Sequence, residues 1–200
     1  FDVAGVRTTR GSKLFEHRTA ERDAAAVARL KHAGGVFLGK TNVPEFALWW
    51  ETDNSVFGRT NNPWNLERTT GGSSGGEAAA IAAGLSPLGI GSDVGGSIRM
   101  PAHYCGIVGF KPTHGRVPLT GHWPETLLRA QHVGPMARTV RDVALALRLL
   151  SGPDGVDHHC LPLEPPAGEV PPPLKGGPER PTRQRAHSTP VRPGEASVME

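Results

Sequence analysis

Cysteine is scarce in this 200-residue chain: only Cys105 and Cys160 are present, and they form no spaced cluster. Two such residues argue neither a disulfide framework nor a zinc site, and a reducing, cytoplasmic setting suits them best. Long apolar runs are missing too. No stretch approaches the ~18 apolar residues of a membrane-spanning helix, and the N-terminus lacks the basic-then-apolar order of an export signal. These absences predict a soluble protein that is not exported. Lys and Arg number 22 against 19 Asp and Glu, a net charge of +3. The basic residues are scattered, with no run interleaved with aromatics, which argues against a nucleic-acid partner. A hydrophobic share of 37% suffices for one globular domain but names no function.

Phe, Trp, Tyr and Ile are absent from residues 151–200, which hold 11 of the 19 prolines and 6 of the 26 glycines. So little apolar area cannot offset the entropy of ordering the chain. Residues 153–200 therefore read as a Pro/Gly-rich disordered tail, and residues 1–152 as one partial domain. Within that domain Thr19 precedes a helical pattern over Ala20–Ala33, with Glu21 and Asp23 at its positive end and Gly34-Gly35 as its stop. The run Val36-Phe37-Leu38 predicts a buried strand. Residues 49–71 are polar and broken by Pro63, and read as a long loop. Glu77–Ala83 predicts a helix, and Leu88–Gly91 and Gly106–Phe110 predict central strands. Thr139 caps a last helix with Asp142 at its third position, and Val140, Val143, Ala144, Leu147 and Leu150 form its apolar face. Gly152-Pro153 end it. Helix alternating with strand is the rhythm of an α/β fold.

Two Gly/Ser stretches carry the chemistry. The first, Gly71-Gly72-Ser73-Ser74-Gly75-Gly76-Glu77, opens directly into a helix, which a linker has no need to do, and it lacks the Lys-Ser/Thr that completes a phosphate loop. The second, Gly89 to Ala102, misses the dinucleotide fingerprint because Val94 stands where its third glycine belongs. Val94-Gly95-Gly96-Ser97 can instead turn successive backbone N–H groups toward one point, a cradle for negative charge on a carbonyl oxygen. A serine ending such a cradle is placed to attack that carbonyl. Gly72-Ser73-Ser74-Gly75-Gly76 also satisfies G-x-S-x-G, centred on Ser74, but that motif needs a buried strand before it, and residues 61–70 are too polar for one. His158-His159-Cys160 lack a second ligand pair at metal spacing, so no metal is expected. For Trp49-Trp50 core burial is the commoner fate and an acyl pocket the alternative.

The run GGSSGGEAAAIAAGLSPLGIGSDVGGSIRMPAHYCGIVGFKPTHGRVP, together with GKTNVPEFA (39–47) and ETDNSVFGRTNNPWN (51–65), resembles the amidase signature family, nearest to its fatty-acid-amide-hydrolase-like members. The resemblance covers roughly residues 1–155. It implies an amidase signature fold, α/β with a mixed central sheet covered by helices, incomplete in this chain. It implies hydrolysis of a small-molecule carboxylic amide through an acyl-serine, with no metal or organic cofactor. By the same resemblance Ser97 is the nucleophile and Ser73, after a cis peptide bond, the bridging serine. The N–H groups of Val94, Gly95, Gly96 and Ser97 form the oxyanion hole, and Ser74, Asp93 and Arg99 brace the loops. A serine hydroxyl must pass its proton to a base as it attacks. The family's base is a lysine with a lowered pKa, and the resemblance puts it just before the equivalent of Phe1, outside this sequence. Lys40 and Lys111 match other family segments and read as packing or bracing residues. Little or no turnover is expected of the 200-residue chain alone. An inactive remnant, or an A-type component of an amidotransferase complex, is the alternative reading, and a homodimer is a candidate assembly for a full-length protein.

Overall fold

A computed structural model of the chain describes residues 1–124 and 129–162. In chain order its elements are α1 (Ala25–His32), β1 (Asn61–Asn62), β2 (Asn65–Thr69), α2 (Gly75–Ala82), β3 (Leu88–Asp93), α3 (Arg99–Cys105), β4 (Val108–Gly109), β5 (His132–Ala137) and α4 (Val140–Leu150). The middle strand of the main sheet is β5, with β3 on one side and β4 on the other. The family resemblance implies a mixed sheet, whereas among the described residues both pairings are antiparallel. The reason is the place of β5. The crossover through α3 does run β3 and β4 in the same direction, but β5 lies between them and opposes both.

Residue alternation divides this sheet into two apolar faces. Val133 and the half-buried Ile90 face one way, onto Ala26 of α1 and Leu147 and Leu150 of α4. Met136 faces the other way, onto Ala78 and Ile81 of α2 and Ile98, Ala102 and Cys105 near α3. Gly91 is what lets this second layer close. A Cβ there would come within 2.7 Å of Ser74 Oγ and 3.0 Å of Ile98 Cγ1. Its absence allows the starts of α2 and α3 to lie side by side on β3.

The expected last helix forms as α4, with Thr139 as its N-cap. The Asp142 N–H donates to Thr139 Oγ1 at 3.1 Å, and the Thr139 hydroxyl donates to the Asp142 carboxylate at 2.7 Å. Val143, Leu147 and Leu150 are buried, while Val140 at the helix entry is exposed. Thr139→Ala is expected to lower stability by about 1 kcal/mol, measured by urea unfolding.

Three sequence expectations change, and one strand was not expected at all. Helix α1 begins at Ala25, not Ala20, because Thr19 and Ala20 bridge to Arg7 and Ala4, and Asp23 accepts the Ala4 N–H at 2.8 Å. Tertiary pairing outcompetes local helix propensity there. Val36, Phe37 and Leu38 form no strand and are exposed, since no strand among the described residues meets their backbone. Inside the expected loop 49–71, β1 and β2 form a hairpin around Pro63-Trp64. Its side chains satisfy the open carbonyls at the end of α3: Asn62 Nδ2 donates to Tyr104 O at 2.9 Å, and Trp64 Nε1 to Cys105 O at 2.7 Å. Finally, β5 had no sequence signal, because Gly134 and Pro135 disguise it. The Pro135 carbonyl accepts from Phe110 N at 3.1 Å, so the proline's missing donor faces the short β4, just beyond its two-residue ladder.

Residues 153–162 have no regular secondary structure. The Leu119 N–H donates to Asp157 at 2.8 Å, and the Leu161 N–H to Gly115 O at 2.8 Å, which ties this stretch to the domain. Residues 163–200, most of the expected tail, lie outside the described residues. Among the described residues no helix is long and apolar enough to cross a membrane, and no group of His, Cys, Asp or Glu is arranged to hold a metal ion.

Candidate active site

β3 ends at Asp93, and the chain turns through 94–98 before α3 begins. The turn is built around the Asp93 side chain, which is fully buried. Its carboxylate accepts the N–H groups of Gly96 at 2.8 Å, Ile98 at 3.0 Å and Arg99 at 3.3 Å. The Arg99 guanidinium adds a bidentate pair, Nε at 3.0 Å and Nη2 at 2.8 Å. Gly96 has φ +125°, a conformation that side-chain-bearing residues rarely adopt. Burial by itself pushes the Asp93 carboxyl up, but the hydrogen bonds from Arg99 and the turn N–H groups outweigh it. The net result holds Asp93 below the usual carboxylate range.

The first Gly/Ser segment packs against this turn. The Ser74 N–H donates to the Ser97 carbonyl at 3.1 Å, and the Ser92 N–H donates to Ser74 Oγ at 3.3 Å. Buried Thr52 holds the segment from behind, donating to Gly71 O at 2.8 Å and accepting from Gly75 N at 3.1 Å. The Gly72–Ser73 peptide bond is cis.

Ser73 and Ser97 both line one open cavity of about 260 Å³. Its other walls are Ala47, Leu48, Trp49, Trp50, Ser92, Val94, Gly95, His122, Pro124 and Gln131. Ser73 is almost fully buried at the base, and Ser97 is half-buried. Burial lowers the His122 imidazole to about 3, so this ring is neutral near pH 7 and a weak base. The arrangement brings one half-exposed hydroxyl, one buried hydroxyl and a tight backbone turn to the same space. That set can attack a carbonyl and shelter the oxyanion that results.

The amidase family profile matches residues 1–182, which reaches past the point where the sequence resemblance was read to end. The chain belongs to the amidase family. Among its curated relatives, the A subunit of glutamyl-tRNA(Gln) amidotransferase from Roseiflexus castenholzii is 56% identical over 158 residues, which is 78% of this chain and 32% of that protein. Among solved structures, the corresponding A subunit from Thermotoga maritima superposes with a TM-score of 0.76 at 43% identity, covering 82% of this chain and 36% of that one. A bacterial aryl acylamidase of the amidase signature family superposes with a TM-score of 0.73 at 37% identity, covering 82% and 34%. This amidase-family chain thus spans about a third of the length of the relatives it matches.

Against that family, the residues singled out in sequence separate into three groups. Ser73, Ser97, Val94 and Gly95 share the cavity, and Asp93, Arg99 and Ser74 lie behind it in the hydrogen-bonded turn. Gly96 belongs with the second group, because its N–H is committed to Asp93. Among the described residues, the N–H groups of Val94, Gly95 and Ser97 have no hydrogen-bond acceptor. Lys40 and Lys111 are elsewhere: Lys40 Nζ donates to the Phe1 carbonyl and Lys111 Nζ to Pro112 O at 3.2 Å, and neither lines the cavity. Of the two fates open to Trp49 and Trp50, the structure shows the cavity wall rather than the core. They are 65% and 59% exposed, stacked with ring centroids 6.3 Å apart, and both line the cavity. A strand, β2, does precede the G-x-S-x-G motif, but it is an exposed hairpin arm. The elbow reading needs a buried strand and therefore still fails. Sequence reasoning missed Thr52, whose only signal was its place in the family-like ETDN segment, and Gln131, which carried none.

Proposed function

We propose that this chain supplies the nucleophile segment of an enzyme that cleaves a carboxamide C–N bond, of the kind found in amidotransferase A subunits. The observation that carries the reading is the Asp93-centred turn, which presents Ser97 to the cavity that also exposes Ser73. Ser97 Oγ attacks the amide carbon, its C–O bond forming as the carbonyl π pair moves onto oxygen. The Val94, Gly95 and Ser97 N–H groups donate to that oxyanion, and Ser73 takes the proton of Ser97 while its own passes toward the leaving nitrogen. The C–N bond then breaks, leaving an acyl-Ser97 ester and ammonia or an amine, and water hydrolyses the ester. Identity to the curated A subunits runs between 47% and 56% over the aligned stretch, which favours glutamine-type amide chemistry within a complex.

A second reading, a stand-alone amidase for apolar acyl groups, is favoured by the wall of Leu48, Trp49, Trp50 and Pro124, which suits a larger and flatter substrate than glutamine. The two separate in one assay. The chain is joined to the rest of a relative's length and offered L-glutamine, with partner subunits present, and an aryl acylamide. Ammonia from glutamine supports the first reading and arylamine release the second. Turnover of neither, with no acyl adduct on Ser97, sinks both.

A further inference from the structure

We propose that His132 is a positioning residue for the Ser97 turn, holding Asp93 by its main chain while Arg99 holds it by its side chain. The role rests on the reading of Ser97 as nucleophile, but its geometry does not. Asp93 and His132 are paired as the last rung of the β3–β5 ladder. Beyond that rung β3 leaves the sheet and enters the turn, so any freedom in the Asp93 backbone moves the carboxylate that organises Gly96 and Ile98. His132 Nδ1 lies 3.1 Å from the Asp93 carbonyl oxygen. A carbonyl only accepts, so Nδ1 carries the proton and donates.

The surroundings keep the ring in that role. Burial disfavours its charged form, and Lys111 and His114 nearby add to this against the pull of the Asp93 and Ala130 carbonyls. His114 meets it edge-on with ring centroids 5.6 Å apart, and His159 and Asp157 line the same small void. His132 does not line the Ser97 cavity, and its effect passes through Asp93.

The test uses shape-matched replacements in the 200-residue chain. Asn carries its amide N–H near the position of Nδ1, whereas Gln carries it near Nε2 and Ala has no donor. Amide hydrogen exchange at Gly96 and Ile98 is followed by NMR, with thermal unfolding measured alongside. His132→Ala and His132→Gln are expected to exchange about tenfold faster at both amides, the weight of one hydrogen bond, while His132→Asn stays within about twofold of the parent. The proposal is overturned if all three variants exchange like the parent, or if Asn exchanges as fast as Ala, which makes His132 a packing residue. A fall in unfolding temperature with unchanged exchange at the two amides overturns it too. Because the readout is turn geometry, a failure of Ser97 as nucleophile leaves the result interpretable.

Discussion

Asp93→Ala is expected to lower the stability of the domain by about 3 kcal/mol or more, and to stop acylation at Ser97. The size follows from which partners are stranded. Gly96 and Ile98 are buried, and their N–H groups have Asp93 as acceptor. A buried donor left without a partner costs about 1–3 kcal/mol. Arg99, by contrast, is 52% exposed along its side chain, so its charge returns to water at little cost. Arg99→Ala strips two charge-assisted bonds from a carboxylate with no exposure but leaves it three backbone donors, so it is expected to cost about 1–3 kcal/mol, less than Asp93→Ala. Urea unfolding of the two variants decides the order, and equal losses would mean that the ion pair carries the turn. The pH dependence has a fixed sign. The folded-state pKa of Asp93 is depressed, so its contribution is complete above the unfolded carboxylate value and disappears as pH falls through the folded one. The parent should lose this increment of stability only on the acid side of the ordinary carboxylate range, and Asp93→Asn should not show that loss.

That turn was the part of the molecule most legible in sequence, and the reason is physical. A backbone that must reverse sharply, free its N–H groups and begin a helix needs glycine, a short carboxylate and a cap within a few residues. Gly95 and Gly96 showed this directly, whereas the bracing by Asp93 and Arg99 was suggested only by the family resemblance. Thr139 with Asp142 was legible for the same reason, since a helix cap is a local contract. Elements set by distant partners were not. Val36–Leu38 looks like a strand by composition, yet a strand exists only where a neighbour accepts its hydrogen bonds. His132–Ala137 looks like a loop, yet it becomes the central strand because Val133 and Met136 each find an apolar layer. In the site, the segment centred on Ser73 meets Ser97 across 24 residues through contacts made by Ser74 and Thr52, and no local pattern announces that meeting. Trp49 and Trp50 were left between core and acyl pocket because aromatics are usually buried, and a ligand cavity is the exception to that rule.

The last expected result separates the serines. When the chain is joined to the rest of a relative's length, Ser97→Ala should reduce turnover about 10⁴-fold or more, since a missing nucleophile removes the covalent route altogether. Ser73→Ala should cost about 10²–10⁴-fold, the range for losing an assisted proton transfer, with the acyl adduct still found on Ser97. Ser74→Ala belongs to a different class. The Ser74 hydroxyl accepts from the Ser92 N–H and faces away from the cavity lining, so its loss should weaken the scaffold without changing which residue is labelled. A fluorophosphonate probe followed by peptide mapping reads all three: an adduct on Ser97 in the parent, none in Ser97→Ala, and a slower one on Ser97 in Ser73→Ala. Labelling that moves to Ser73 or Ser74, or that survives Ser97→Ala, would reject the assignment. Retention of the Ser97 adduct in both other variants would leave Ser97 as the acylated residue, with Ser73 acting on its rate and Ser74 on its scaffold.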